Sequence, residues 1–315
     1  MGRKKKYNNK IPNMVYVLVT ILVAFSVYLG NENLQNSNNS SSNVVNTITQ
    51  EAKNNTPINS ELKIYYLNVG QADCILIQNE GQNMLIDAGN NADGENITQF
   101  LQSLKISKID FLIGTHPHED HIGGLDNIIN NFNIGTIYMP KVATTTKTFE
   151  DVLDAIENKK LTVTTPEIGN TFNMGSASFQ ILSAGTNEED LNSCSIVLKL
   201  SFGDQAYLFT GDAETVNEEQ MILSEYDLNA SVLKVAHHGS NTSSSEKFLD
   251  KVSPDIAIIM VGEGNSYGHP HNEVLNRLNA RNIKIYRTDI NGTILITSDG
   301  KENNIQVLDN INLNG

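Results

Sequence analysis

Seven histidines, at positions 116, 118, 121, 237, 238, 269 and 271, fall into three short clusters, a distribution not expected of scattered structural histidines. The densest is Thr115-His116-Pro117-His118-Glu119-Asp120-His121. Imidazole and carboxylate donors together suit Zn²⁺, Mn²⁺ or Fe. Four donors, His116, His118, Asp120 and His121, are too many to close easily on one tetrahedral ion. Two divalent ions, Zn or Mn, are the natural solution. Gly123-Gly124 follows and lets backbone approach the site closely.

The remaining candidates lie downstream. His237 and His238 follow the apolar run Val232–Ala236, and strand alternation would point them in opposite directions. One is then a ligand and the other faces substrate, and the sequence does not say which. His237 is the ligand candidate and His238 the catalytic one. Gly239-Ser240-Asn241-Thr242-Ser243 offers hydroxyls and backbone N–H groups suited to a phosphate or carboxylate, with Ser240 as the substrate-binding candidate. His269-Pro270-His271 precedes a helical segment, and Pro270 holds that loop extended.

Short strands punctuated by Gly, Asn and Asp must position these groups. Strands are expected at 62–67, 74–78, 83–86, 109–113, 136–139, 195–200, 206–210, 231–236, 255–261, 283–287, 293–297 and 304–308. Helices are expected near 96–105, 124–132, 148–158, 214–224, 244–251 and 272–280. The 109–113 strand runs directly into the His116 cluster.

The joint pattern resembles the metallo-β-lactamase superfamily, in the form found in the hydrolase domain of ComEC-type competence proteins. The matching pieces are Leu67–Asp73, Ile86-Asp87-Ala88-Gly89, Thr115–Gly124, Phe209-Thr210-Gly211-Asp212, His237–Ser240, Gly268–His271 and Tyr286-Arg287-Thr288-Asp289-x-x-Gly292. Their order and spacing agree over about residues 62–298. The resemblance implies an α/β fold, a four-layer αββα sandwich with metals at one edge between two sheets. It implies that Asp212 bridges the ions, that Asp87 orients ligands, with Asp73 a candidate for the same role, and that His269 or His271 faces the site. Asp120, His238, His269 and His271 are then the catalytic candidates. His116, His118, Asp120, His121, Asp212 and His237 are the metal ligands.

Two departures stand out. Many members of the superfamily carry another histidine between the first cluster and the bridging aspartate, but this chain has none between His121 and His237. Asn192-Ser193-Cys194-Ser195 occupies the equivalent region, and Asn192 is a substrate-binding candidate. The first metal is therefore expected to bind more weakly, or to favour Mn²⁺ with added water. Asn68 and Ala72 also replace the family's usual Asp and Gly.

The reaction implied is phosphodiester hydrolysis by a hydroxide held between two metals. DNA, single-stranded DNA included, or another nucleic acid is the first candidate substrate, small or cell-surface phosphodiesters are the alternative, and no nucleotide cofactor is called for. A tethered binding protein on the same scaffold is the non-enzymatic alternative. It is disfavoured because the first cluster and Asp212 are complete.

The N-terminal 60 residues differ from the rest. Residues 1–10 hold Arg3, Lys4, Lys5, Lys6 and Lys10 and no acid. Residues 11–30 form an apolar run of about 19 residues, just long enough to span a bilayer. This predicts a cytoplasmic basic tail (1–10), a single transmembrane anchor (11–30) and an extracellular catalytic domain at the cell membrane. Residues 31–60, rich in Asn, Ser and Thr, read as a disordered linker to a hydrolase domain at 61–315. Of 22 basic and 36 acidic residues, the first 60 hold 6 and 2, so residues 61–315 carry a net charge of −18. That opposes non-specific binding of polyanions and is compatible with a site whose positive charge is supplied by metal. Cys74 and Cys194 lie in apolar runs and read as buried small hydrophobes.

Overall fold

The structure is a computed structural model, and it describes residues 61–185, 189–308 and 311–314. The expected basic tail, membrane anchor and linker at 1–60 lie outside the described residues. Among the described residues no helix is long and apolar enough to cross a membrane.

The strands are β1 (Leu62–Tyr66), β2 (Ile75–Asn79), β3 (Gln82–Ile86), β4 (Lys108–Ile113), β5 (Asn133–Tyr138), β6 (Val163–Thr164), β7 (Thr171–Met174), β8 (Ala177–Ser183), β9 (Val197–Phe202), β10 (Gln205–Phe209), β11 (Val232–Lys234), β12 (Ile256–Ile259), β13 (Lys284–Arg287), β14 (Thr293–Ser298) and β15 (Asn303–Leu308). The helices are α1 (Gly94–Ser103), α2 (Glu119–Ile122), α3 (Leu125–Asn131), α4 (Lys147–Asn158), α5 (Thr215–Leu223), α6 (Glu246–Val252), α7 (Asn272–Ala280) and α8 (Thr288–Asn291). One sheet runs β15-β14-β1-β2-β3-β4-β5-β6 and the other β13-β12-β11-β10-β9-β8-β7.

Side-chain alternation divides the interior into three cores. Leu62, Ile64 and Tyr66 of β1 join Tyr207 and Phe209 of β10 between the sheets. Tyr65 and Leu85 face the opposite way, against Ile97 and Leu101 of α1 and Ile128 of α3. Leu208 and Leu233 leave the second sheet on its outer face to meet Phe248 and Leu249 of α6 and Val274 of α7. The result is helices, sheet, sheet and helices in sequence, a mixed α/β fold with two sheets. Phe172 and Phe179 stack in the central core with ring centroids 5.2 Å apart. Truncating a buried phenylalanine such as Phe179 to alanine costs about 3–5 kcal/mol.

Parallel pairing decides where the site forms. β3 runs parallel to β4, and β10, β11 and β12 run parallel to one another. Their carboxyl ends deliver Asp87, the His116 cluster, Asp212, His237-His238 and Met260, the arrangement by which open α/β sheets build ligand sites. Gly123 makes the close approach foreseen in the sequence, since a Cβ there would lie 2.3 Å from the backbone of Asn90.

Two local expectations fail. Asp120 and His121 sit on a short helix, α2, that is not among the helices expected from the sequence. β11 stops at Lys234, and His237 and His238 both adopt left-handed backbone angles, with φ of 51° and 52°. Strand alternation therefore does not govern where those two imidazoles point.

Candidate metal centre

Four groups converge at the edge between the sheets. One ligating atom from each of Asp120, His121, Asp212 and His238 lies within 4.8 Å of the other three. His121 Nε2 is 3.3 Å from Asp212 Oδ1, and His238 Nε2 is 3.2 Å from Asp120 Oδ2 and 3.6 Å from Asp212 Oδ2. Beside them, His116 Nε2 and His118 Nδ1 stand 3.0 Å apart, and the His116 and His121 rings are 4.1 Å apart.

Hydrogen bonding fixes which nitrogen of each ring faces inward. Asp87 is wholly buried and accepts from Thr115 N at 2.8 Å, Thr115 Oγ1 at 2.7 Å and His121 Nδ1 at 2.8 Å. A carboxylate only accepts, so His121 carries its proton on Nδ1 and Nε2 is left to face Asp212. Thr115, having donated its hydroxyl proton to Asp87, accepts from His116 Nδ1 at 3.2 Å, with Ser195 Oγ a further 3.3 Å contact. His116 Nε2 is thereby freed toward His118. His238 Nδ1 donates to the Met260 carbonyl at 2.9 Å, which turns its Nε2 to the cluster. Three imidazoles thus present the same inward nitrogen, each held by a partner behind it.

The site concentrates carboxylates and buried polar atoms. Asp73, Asp87, Asp120 and Asp212 gather four carboxylates, three of them buried. His121 Nε2, Asp212 Oδ1 and Asp73 Oδ1 are buried without a well-formed hydrogen bond, although the first two stand 3.3 Å apart. Such orphaned atoms are costly unless another group satisfies them. Burial opposes protonation of His121, but Asp212, Asp120 and Asp87 outweigh it and push its pKa well above the ordinary imidazole value. Burial likewise opposes charge on His238, yet Asp212 and the Asp120 hydrogen bond carry it upward. His116 and His118 go the other way, lowered first by burial. Burial would raise Asp120 and Asp212, but His121 and His238 hold both below the usual carboxylate range. Nitrogen and carboxylate donors, inward lone pairs and orphaned buried atoms fit divalent metal. His121, Asp120, His238 and Asp212 are the residues that would hold one ion, with His116 and His118 beside them for a second.

His237 stands outside the four-residue group, where the sequence had placed a ligand. Its Nε2 is 3.8 Å from Asp212 Oδ2, while its Nδ1 lies 3.3 Å from both Thr242 Oγ1 and Glu214 Oε1. The exchange of positions follows from the left-handed turn, which buries His238 and leaves His237 half-buried. His269 reaches the same place from the far side, its ring 5.5 Å from His237 and 6.3 Å from His238. Its Nδ1 is buried and unpartnered, and burial together with the neighbouring histidines lowers its pKa to about 4. His271 is the N-cap residue of α7, and its Nδ1 accepts from Asn241 N at 2.9 Å. Ser240 is buried, with Oγ 3.1 Å from Thr242 Oγ1 inside its own loop. Asn192 donates to Glu214 Oε1 at 3.3 Å.

Three further residues support the site and were not singled out in the sequence. Thr115 and Ser195 stand behind His116, and Ser195 Oγ also accepts from Asp212 N at 3.1 Å. Lys234, wholly buried, pairs with Asp73. A lysine within the otherwise apolar run Val232–Ala236 was the available signal. Beside Asp120 opens a cleft of about 630 Å³, lined by Glu119, Glu263 and Asp289, by carboxamides including Asn68 and Asn265, and by Tyr267. Arg287, beside it, is tied to Asp289.

Comparison with known proteins agrees with this construction. The pattern of the Metallo-beta-lactamase superfamily matches residues 67–263. ComE operon protein 3 of Bacillus subtilis (strain 168) is 30% identical over 256 residues, which cover 75% of this chain and 33% of that protein. Competence protein ComA of Neisseria gonorrhoeae is 30% identical over 239 residues, covering 75% and 32%. Recombination protein 2 of Haemophilus influenzae is 32% identical over 238 residues, covering 73% and 28%. The chain thus spans about a third of the length of these curated relatives. Among solved structures, CmlA, a diiron beta-hydroxylase from Streptomyces venezuelae, shares the fold with a TM-score of 0.52 at 15% identity, covering 78% of this chain and 54% of that one. By residues 67–263 and by its ComEC-type competence-protein relatives, the chain belongs to the metallo-β-lactamase superfamily.

Proposed function

We propose that this protein is a metal-dependent hydrolase that cleaves phosphodiesters. The observation that carries the reading is the convergence of Asp120, His121, Asp212 and His238 beside an open cleft, with the inward nitrogens of His121 and His238 fixed from behind. Bound divalent ions supply Lewis acidity and an activated water at neutral pH. The protein's own contribution is to hold the ligands and exclude alternative tautomers. With its pKa lowered to about 4, His269 is neutral at pH 7 and serves as a hydrogen-bond donor to developing oxyanion charge rather than as a proton source. His237, steadied by Glu214 and Thr242, faces the same space.

Between the candidate phosphodiesters, the cleft favours a small one. Its lining carries Glu119, Asp120, Glu263 and Asp289, and Arg287 is paired with one of them. A long polyanion meets repulsion there, whereas a compact diester presents one phosphate to the metals. The proposal also places the domain outside the cytoplasm, behind an anchor at residues 11–30. That part rests on the basic residues before the apolar run, and a reporter fused after Gly315 that is active only in the cytoplasm would overturn it.

Turnover of bis-p-nitrophenyl phosphate with added Mn²⁺ or Zn²⁺, beside single-stranded DNA and nitrocefin, tests the activity. Metal-dependent diester turnover that stops with chelator is expected. Nitrocefin hydrolysis without diester turnover would replace the substrate class. Metal binding without turnover of any of the three would favour a tethered binding protein.

A further inference from the structure

We propose that Lys234 is a positioning residue for the metal centre, its ammonium gripping the Gly211 carbonyl and so setting where the Asp212 carboxylate stands. The inference rests on the two-metal reading above. Burying the Lys234 ammonium costs free energy. Lys234 is wholly buried at the end of an apolar strand, where an apolar side chain of equal length would need no compensation.

The lysine holds the segment before Asp212 at two points. Its Nζ donates to Gly211 O at 2.9 Å, and its own backbone carbonyl accepts from Thr210 Oγ1 at 2.7 Å. The ladder between β10 and β11 ends at Leu208 and Leu233, so it does not hold residues 210–212 against β11. Gly211 sits there in a left-handed conformation, with φ of 50°. Gly211 O also accepts from His237 N at 3.2 Å, so the lysine and the histidine turn together span the gap that the ladder leaves. Its Nζ also contacts the Asp73 carboxylate and lies 3.8 Å from Asp212 Oδ1. Asp73 in turn stands 3.5 Å from His238 Nδ1 and 3.8 Å from His121 Nδ1. One side chain therefore underlies Asp212 directly and two imidazoles at one remove.

Removing the lysine alone would strand Asp73 as an uncompensated buried charge, so the informative variant removes both charges. Lys234→Met combined with Asp73→Asn, made in the full chain, is titrated with Zn²⁺ and with Mn²⁺ against a chelating indicator. Thermal unfolding is followed without metal. The expected result is a folded protein whose metal affinity falls roughly 10- to 100-fold, the range for lost outer partners of metal ligands. Asp73→Asn alone keeps the grip on Gly211, leaves the Lys234 charge answered by Asp212 at 3.8 Å, and is expected to lose much less. Lys234→Gln with Asp73→Asn, too short to reach Gly211, is expected to show the same large loss and serves if the methionine version does not fold.

A folded double variant that binds metal as tightly as the unaltered protein would overturn the proposal. So would an Asp73→Asn protein as impaired as the double variant, because the carboxylate would then be the positioning group. If the unaltered protein binds neither ion, the two-metal reading itself fails, and that outcome is separate from both.

Discussion

His121 Nδ1 stands 2.8 Å from Asp87 Oδ2, and the same carboxylate oxygen accepts the Thr115 hydroxyl that backs His116. One buried aspartate therefore sets the inward nitrogen of two imidazoles from opposite ends of the His116 cluster.

This relationship predicts the behaviour of Asp87→Asn. An amide both donates and accepts, so neither ring is held to one tautomer. Metal affinity is expected to fall about 10- to 100-fold with the fold intact. Chelator competition on the purified protein measures it, and unchanged affinity would show that the tautomers are set elsewhere.

The left-handed turn at His237-His238 predicts an asymmetry between neighbours. His238→Ala and Asp212→Ala should both reduce bound metal and nearly abolish hydrolysis. His237→Ala should keep its metal and lose rate. Metal analysis by emission spectroscopy, run beside hydrolysis kinetics, separates them. Metal loss in His237→Ala with retention in His238→Ala would reverse the assignment.

His269→Ala should retain metal while turnover drops. Loss of one donor to the developing oxyanion is worth about 10²–10³ in rate, or about 2.7–4 kcal/mol. Steady-state kinetics at saturating metal decide it, and a purely KM effect would confine His269 to binding.

The histidine shifts predict how the metal-free protein responds to pH. His116, His118 and His269 are held below the ordinary 6.5, so between 6.5 and their folded values the unfolded chain binds more protons. Their contribution to stability is lost as pH falls through that window. His121 and His238 are held above 6.5, so their contribution is present below 6.5 and lost as pH rises through their folded values. Thermal unfolding without metal should therefore peak near pH 6.5 as far as these five groups govern it. Metal binding must displace the protons from His121 and His238. Added metal should therefore flatten the alkaline limb, with proton release detectable by calorimetry in buffers of different ionisation enthalpy.

Gly211→Ala tests the turn that presents Asp212. At φ of 50° a side chain is strained, and its Cβ would lie 3.1 Å from Thr115 Cβ. The expected loss of stability is about 1–3 kcal/mol, read from urea unfolding. A loss of metal should accompany it.

Much of this molecule follows from its sequence. Short apolar runs bounded by Gly, Asn and Asp marked β1, β2 and β3 within a residue or two, because each strand buries one face between the sheets and the other under helices. The helix at 272–280 matched in full, since Val274 and Leu278 mark its buried face. Clustering alone brought out His116, His118, Asp120 and His121 as candidate metal donors, because such groups packed into six residues have few structural uses. The sequence was silent where the outcome depends on approach from distant segments. Alternation misjudged His237 and His238, since a left-handed turn obeys no side-chain period and β11 ends two residues before Ala236. The contacts that Ser240, Asn192 and His271 make, to Thr242, Glu214 and Asn241, were likewise not legible in the sequence. Ser195, 79 residues from His116, and Lys234, bound to Asp73 and Gly211, acquire their roles only when the two sheets meet. The sequence by itself determined the candidate donor types and most of the strands that carry them. Tertiary structure decided which nitrogen of each ring faces inward, because that depends on a hydrogen-bond partner supplied from elsewhere in the chain.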